Sequence, residues 1–134
     1  MVFELSFSKS HVYSEVDGPI FLPVTLNVAG ESTTVQAVVD SGGAVCLFGL
    51  EVAITLGLDV ESGIPKRLNS LGGPIDSFGH EVTLETVGLS FQSVVYFAKY
   101  PGLARNILGR QGWLRNLKLG LVDYENTMYL GEYQ

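Results

Sequence analysis

An aspartate delivered by an apolar run into a glycine-rich turn is the stretch of this sequence with the most chemical content. In Val38-Val39-Asp40-Ser41-Gly42-Gly43-Ala44 a carboxylate follows two β-branched residues, and the missing Cβ atoms of Gly42 and Gly43 let the backbone bend sharply and approach a ligand. Read alone, the stretch is equally an ordinary strand end with an Asp-Ser-Gly turn, since all three residue types are common in turns. A second segment, Asn106-Ile107-Leu108-Gly109-Arg110, begins about 65 residues later and leads into Trp113, Leu114 and Leu117. Between the two, Arg67-Leu68-Asn69-Ser70-Leu71-Gly72-Gly73-Pro74-Ile75 carries a Gly-Gly-Pro tip between apolar flanks, by itself a plain surface turn. Asp40 has no counterpart: Asp17, Asp59, Asp76 and Asp123 are followed by Gly-Pro, Val-Glu, Ser-Phe and Tyr-Glu.

The other reactive side chains read as structural. His11 and His80 have no histidine or cysteine at ligand spacing, so no metal is expected. Cys46 lies in an apolar run without a His-Asn partner pattern and reads as a small buried hydrophobe. No Lys-Ser/Thr follows Gly72-Gly73, which excludes a phosphate loop. Arg110 is expected at the head of the second helix, where a guanidinium buttresses carbonyls or carboxylates, a structural role. Trp113 is expected in the core.

Short runs rich in Val, Thr, Tyr and Phe, punctuated by 16 glycines, imply a mainly β fold with frequent turns. Residues 21–28 and 32–39 flank Ala29-Gly30-Glu31 as a hairpin, and residues 81–87 and 91–98 repeat the pattern around Gly88-Leu89-Ser90. A last pair joins 119–123 to 127–130 across Tyr124-Glu125-Asn126. Helical spacing predicts short helices over 50–58, closed at Gly57, and over 109–117, where Trp113, Leu114 and Leu117 form an apolar edge.

A chain of 134 residues, 46% hydrophobic and 16% charged, is long enough to bury a core and too apolar for disorder. With no repeat or linker, residues 1–134 read as one domain. A formal charge of -6 is the wrong sign for a phosphate backbone, so nucleic acid is not an expected partner. No apolar run approaches the roughly 20 residues of a membrane helix, and no membrane association is expected. Residues 1–10 carry Glu4 and Ser6 and no basic leader, and the single Cys46 forbids an internal disulfide. Both favour a cytoplasmic location.

The order of two apolar residues before Asp-Ser-Gly, a glycine-rich middle and Ile-Leu-Gly-Arg resembles the retroviral-type aspartic proteases, the retropepsins and their cellular relatives, over roughly residues 22–130. The resemblance implies an all-β acid-protease barrel with short helices and one catalytic loop per subunit, formed by Asp40, Ser41 and Gly42. It makes Ile107-Leu108-Gly109-Arg110 the second half of a ψ-shaped crossing beneath that loop, and the Gly-Gly-Pro tip a flap over bound peptide. Gly43, Ala44, Leu71, Gly72, Gly73 and Ile75 would then contact substrate, with Val45 beside them. One position departs from the pattern: relatives commonly have alanine directly after Asp-Ser-Gly, whereas here Gly43 intervenes before Ala44. Amide hydrolysis by carboxylates needs an ionised and a protonated member acting together. One Asp40 per chain therefore implies a homodimer in which each subunit donates Asp40 and Ser41 hydrogen-bonds across the two loops. The activity so implied is that of an aspartic endopeptidase acting on extended polypeptides with one activated water and no cofactor. The alternatives are an inactive retropepsin-like peptide-binding or dimerisation module, and a β-barrel interaction domain.

Overall fold

A computed structural model describes residues 1–16 and 18–133. Along the chain run β1 (Lys9–Val12), β2 (Phe21–Val28), β3 (Glu31–Val39), β4 (Leu47–Phe48), α1 (Leu50–Thr55), β5 (Ile64–Leu68), β6 (Ile75–Thr86), β7 (Leu89–Ala98), β8 (Asn106–Leu108), β9 (Leu117–Val122) and β10 (Thr127–Glu132). No helix is long and apolar enough to cross a membrane among the described residues.

The two long hairpins follow from alternation and turn chemistry. In β2, Leu22, Val24 and Leu26 are fully buried while Pro23 and Asn27 face solvent. β2 meets β3 from Phe21↔Val38 to Val28↔Glu31 across Ala29-Gly30, both at left-handed φ (50° and 87°), the tight turn whose twist suits a hairpin. β6 and β7 pair from Ser77↔Ala98 to Thr86↔Leu89 across Val87-Gly88, with φ of 49° and 80°. This second turn is tighter than the three-residue loop expected at 88–90, and both strands are longer than their alternation indicated.

One sheet has the order β2-β3-β8-β4-β7-β6-β5, and an added β2–β6 pairing, centred on Leu26↔Leu84, closes its first six strands into a barrel. Leu22, Val24, Leu26, Phe48, Leu84, Val95, Phe97 and Leu108 belong to its buried core. β8 lies between β3, to which it runs parallel, and β4, to which it runs antiparallel. A second sheet, β1-β10-β9, packs Met128 and Leu130 into the same core.

The helix expected over 50–58 forms only over Leu50–Thr55, as α1, and Gly57 closes it at φ 73°, its N–H donating to the Ile54 carbonyl. The helix expected over 109–117 does not form. A single 3₁₀ turn, Leu114–Asn116, stands in its place. Glycine costs a helix interior about 1 kcal/mol relative to alanine, and this stretch contains Gly109 and Gly112. Gly112 adopts φ 97°, and Trp113 turns inward to full burial with its indole N–H donating to Thr86 Oγ1 at 3.0 Å. The apolar edge is thus spent on the barrel core by an irregular segment.

Candidate functional site

Asp40 sits where two segments of backbone cross. β3 delivers it, and its N–H donates to the Leu108 carbonyl of β8 at 2.9 Å. Beyond it the chain crosses residues 108–111: the Arg110 N–H donates to the Gly43 carbonyl (2.8 Å) and the Gln111 N–H to the Ala44 carbonyl (2.9 Å). Val45 then bridges Gln111 in parallel. The two segments approach so closely at Gly109 that an added Cβ would lie 2.2 Å from the Val45 carbonyl oxygen and 2.7 Å from that of Gly43. Only glycine fits there, which is the physical content of Ile-Leu-Gly-Arg.

Within the loop, the Gly42 N–H donates to Asp40 Oδ1 (3.0 Å) and the Gly43 N–H to the Asp40 carbonyl (3.1 Å), closing a tight turn around the half-buried carboxylate. Ser41, Gly42 and Ala44 are exposed, and the Ser41 hydroxyl takes no partner among the described residues.

The chain is similar to the retropepsin-like aspartic protease from Rickettsia conorii, with a TM-score of 0.67 and 15% identity over 91% of this chain and 98% of that one. It is also similar to the EIAV protease complexed with the inhibitor HBY-793, with a TM-score of 0.56 and 19% identity over 74% of this chain and 88% of the other. The fold is that of the retropepsins. No family model matches the sequence, and no curated protein matches it.

The retropepsin fold explains the ψ-shaped crossing, and the loop geometry accounts for the departure at Gly43. A Cβ at this position would stand 3.2 Å from Asp40 Oδ2 and 3.3 Å from its Cγ, tighter than ordinary van der Waals contact. Glycine leaves the carboxylate room to keep its bond to the Gly42 N–H.

The structure gathers Asp40, Ser41, Gly42, Gly43, Ala44 and the backbone of Arg110 in one place. Leu71, Gly72, Gly73 and Ile75 belong to a separate hairpin, β5–β6, whose last pair is Leu68↔Ile75. Its tip is closed by the Ser70 N–H donating to the Gly73 carbonyl (3.2 Å) and the Gly73 N–H donating back (3.1 Å). Leu71 is fully exposed at that tip, and Gly73 has φ 111°. No hydrogen bond joins this hairpin to the Asp40 loop among the described residues.

Arg110 differs from the expectation. No helix starts at it, and its side chain is exposed with no ion pair or hydrogen bond among the described residues. Its support of the loop comes from its backbone N–H, which any residue but proline would supply. The side chain that does brace the crossing is Asn106, to which the sequence reading gave no role. Its Oδ1 accepts the Gly49 N–H at the start of α1 (2.9 Å) and its Nδ2 donates to the Gln36 carbonyl of β3 (3.1 Å). One carboxamide thereby fixes β8 between β3 and α1; a polar residue opening an apolar motif was the available signal.

Cys46 and Trp113 are buried as expected. Burial pushes the Cys46 thiol up to about 11, against a smaller lowering by the Gly109 backbone, so it is no ready nucleophile. His80 sets Nε2 2.7 Å from the Val60 carbonyl, and no group of three metal-binding side chains gathers among the described residues. A cavity of about 280 Å³ opens between β7 and Gln111, Gly112 and Asn116. Asp40 is not among its lining residues; the chemistry follows the carboxylate and the crossing rather than this hollow.

Proposed function

We propose that the protein is an aspartic endopeptidase working as a homodimer, with one Asp40 from each chain forming the catalytic pair. The observation that carries this reading is the placement of Asp40. An Asp-Ser-Gly carboxylate, held by a loop N–H beside exposed backbone, stands on the ψ-shaped crossing of a retropepsin fold, and each chain has one such loop. In the reaction the ionised carboxylate takes a proton from water as the water oxygen attacks the scissile carbonyl carbon, while the protonated one hydrogen-bonds the carbonyl oxygen. The tetrahedral intermediate then collapses as a proton passes to the departing nitrogen, releasing an amine and a carboxylic acid. Ser41 bonds across the two loops and keeps the carboxylates nearly coplanar. The β5–β6 tip acts as the flap, with Leu71, Gly72, Gly73 and Ile75 closing over an extended peptide and excluding water. Gly43 and Ala44 align the peptide backbone.

The deciding experiment compares wild type and Asp40→Asn on a random peptide library. Wild type cleaves, whereas the variant, with both carboxylates of the dimer replaced, folds alike and does not. Cleavage by folded Asp40→Asn would refute the assignment.

A further inference from the structure

β7, a strand of ten residues, has a full partner on one side only. β6 pairs with it from Ser77↔Ala98 to Thr86↔Leu89, whereas on the other side β4 meets it just at Tyr96 and Phe97. The two-residue turn at Val87-Gly88 fixes which way each backbone group points. Thr86 and Leu89 close the hairpin and exchange both hydrogen bonds, so the alternation of an antiparallel ladder turns the N–H and C=O groups of Leu89, Phe91, Ser93 and Val95 toward β6. Those of Ser90, Gln92, Val94 and Tyr96 turn the other way. The far end of the strand agrees, since the Tyr96 N–H donates to the Cys46 carbonyl at 2.9 Å. Among the described residues no partner meets the N–H or C=O groups of Ser90 and Gln92.

In the place a longer β4 would fill, the irregular chain at 111–116 runs beside this open edge. At Val94 it comes close: a Cβ on Gly112 would lie 2.9 Å from the Val94 carbonyl oxygen. Next to that contact lie two cavities that share Asn116. One, of about 280 Å³, also takes in Gln92, Tyr96 and Gln111, and the other, of about 200 Å³, takes in Ser90, Phe91 and Tyr133. The first is lined by three carboxamides, of Gln92, Gln111 and Asn116, and by no charged side chain among the described residues. It also reaches the catalytic-loop crossing, because the Gln111 N–H holds the Ala44 carbonyl.

We infer that residues 90–92 of β7 form a docking edge that takes up an extended, uncharged stretch of another polypeptide as an added strand. The open groups recur at every second residue, roughly 6.7 Å apart, which is the repeat of a β-strand's own backbone. Carboxamides donate and accept as peptide groups do, so the cavity lining can meet the amides of the docked chain. A charged side chain there would lose water without gaining a counter-charge, which sets the preference for a neutral stretch. The docked strand ends where Gly112 closes on Val94. The inference does not depend on the peptidase reading.

The test reads amide exchange residue by residue by NMR in Asp40→Asn protein, which keeps a peptide intact whether or not the wild type is a peptidase. In the free chain the Ser90 and Gln92 amides exchange fast, while those of Phe91 and Ser93 are protected. The probe acetyl-Thr-Val-Thr-Val-Thr-amide, uncharged and prone to extend, slows exchange at Ser90 and Gln92 about tenfold at ~90% saturation, because only the unbound fraction exchanges. The same peptide N-methylated at its three central residues cannot pair and leaves both amides unprotected. Gln92→Pro weakens probe binding about fivefold, the loss of one backbone bond. Proline is tolerated where a strand's N–H faces away from its ladder, so the variant folds. Protection of Ser90 and Gln92 in the free chain overturns the inference, and if that protection fades on dilution the occupant is a second copy. Equal protection by the methylated peptide, exchange unmoved by the probe, or undiminished binding to folded Gln92→Pro overturns it as well. Should Gln92→Pro not fold, the methylated peptide decides.

Discussion

At the scale of single residues, the site depends on small clearances around one carboxylate. Gly43→Ala would place a methyl group 3.2–3.4 Å from the side chain and carbonyl of Asp40, and the carboxylate must move by a few tenths of an ångström to admit it. Overpacking of this size costs on the order of 1 kcal/mol, and the displaced group is the one that activates water in the proposed reaction. We expect Gly43→Ala to lower kcat roughly three- to tenfold with little loss of Tm; steady-state kinetics beside a thermal melt measure both. Cys46 gives a second prediction at this scale. Its thiol rises from an ordinary 9.0 to about 11 on burial, so the folded state holds its proton more tightly than the unfolded chain. The stabilisation is whole below pH 9 and disappears as pH rises through 11, a loss on the order of 2–3 kcal/mol. Denaturant unfolding from pH 8 to 11 should show that decline in wild type and a shallower one in Cys46→Ala.

At the scale of elements, the hairpins were legible because burial and turn chemistry agree in them. Leu22, Val24 and Leu26 alternate with outward residues, and Ala29-Gly30 supplies the turn. β4 and β8 have two and three residues, too short for any period, and their places are set by pairing with distant partners. β5 exposes its first four residues, so its sequence lacks the buried alternate positions that mark a strand. The stretch at 109–117 misled for the opposite reason: its helical spacing is real, but the close approach at Gly109 and the turn at Gly112 prevent regular winding. At the site, the Asp40 loop and Ile-Leu-Gly-Arg were readable from residue types, whereas Asn106 was not, because its two partners lie on segments 57 and 70 residues away. The hairpin tip offers a test at this scale. Gly73 has φ 111°, a region a β-branched residue enters only with strain on the order of 1–3 kcal/mol. The strain falls on an exposed tip outside the barrel core, so if this hairpin is the flap of the proposed enzyme, Gly73→Val should distort it and reduce turnover severalfold while Tm falls by no more than a few degrees. Undiminished turnover would make the segment a surface turn.

At the scale of the whole molecule, one chain offers one Asp-Ser-Gly carboxylate, and the proposed chemistry needs two. The site is then a property of a pair of chains, and its activity must follow the statistics of pairing. Consider wild type at a concentration well above the dimer dissociation constant, mixed with a ninefold excess of Asp40→Asn protein and left to exchange subunits. Nearly every wild-type chain now has a mutant partner, and a mixed dimer carries one carboxylate and one carboxamide. The amide cannot take a proton from water or lend an acidic one to the substrate carbonyl. Only wild-type pairs remain active, so with random pairing the activity should fall to about one-tenth of that of the same wild-type amount alone. The fall should develop at the rate of subunit exchange, and a tagged wild-type chain should pull down the untagged mutant in parallel. Dilution offers the same test without a mutant, since specific activity should drop once the concentration passes below the dissociation constant. Activity unchanged by excess Asp40→Asn, with mixed dimers demonstrably formed, would mean that each chain works alone and that the second carboxylate, or a substitute for it, comes from its own sequence.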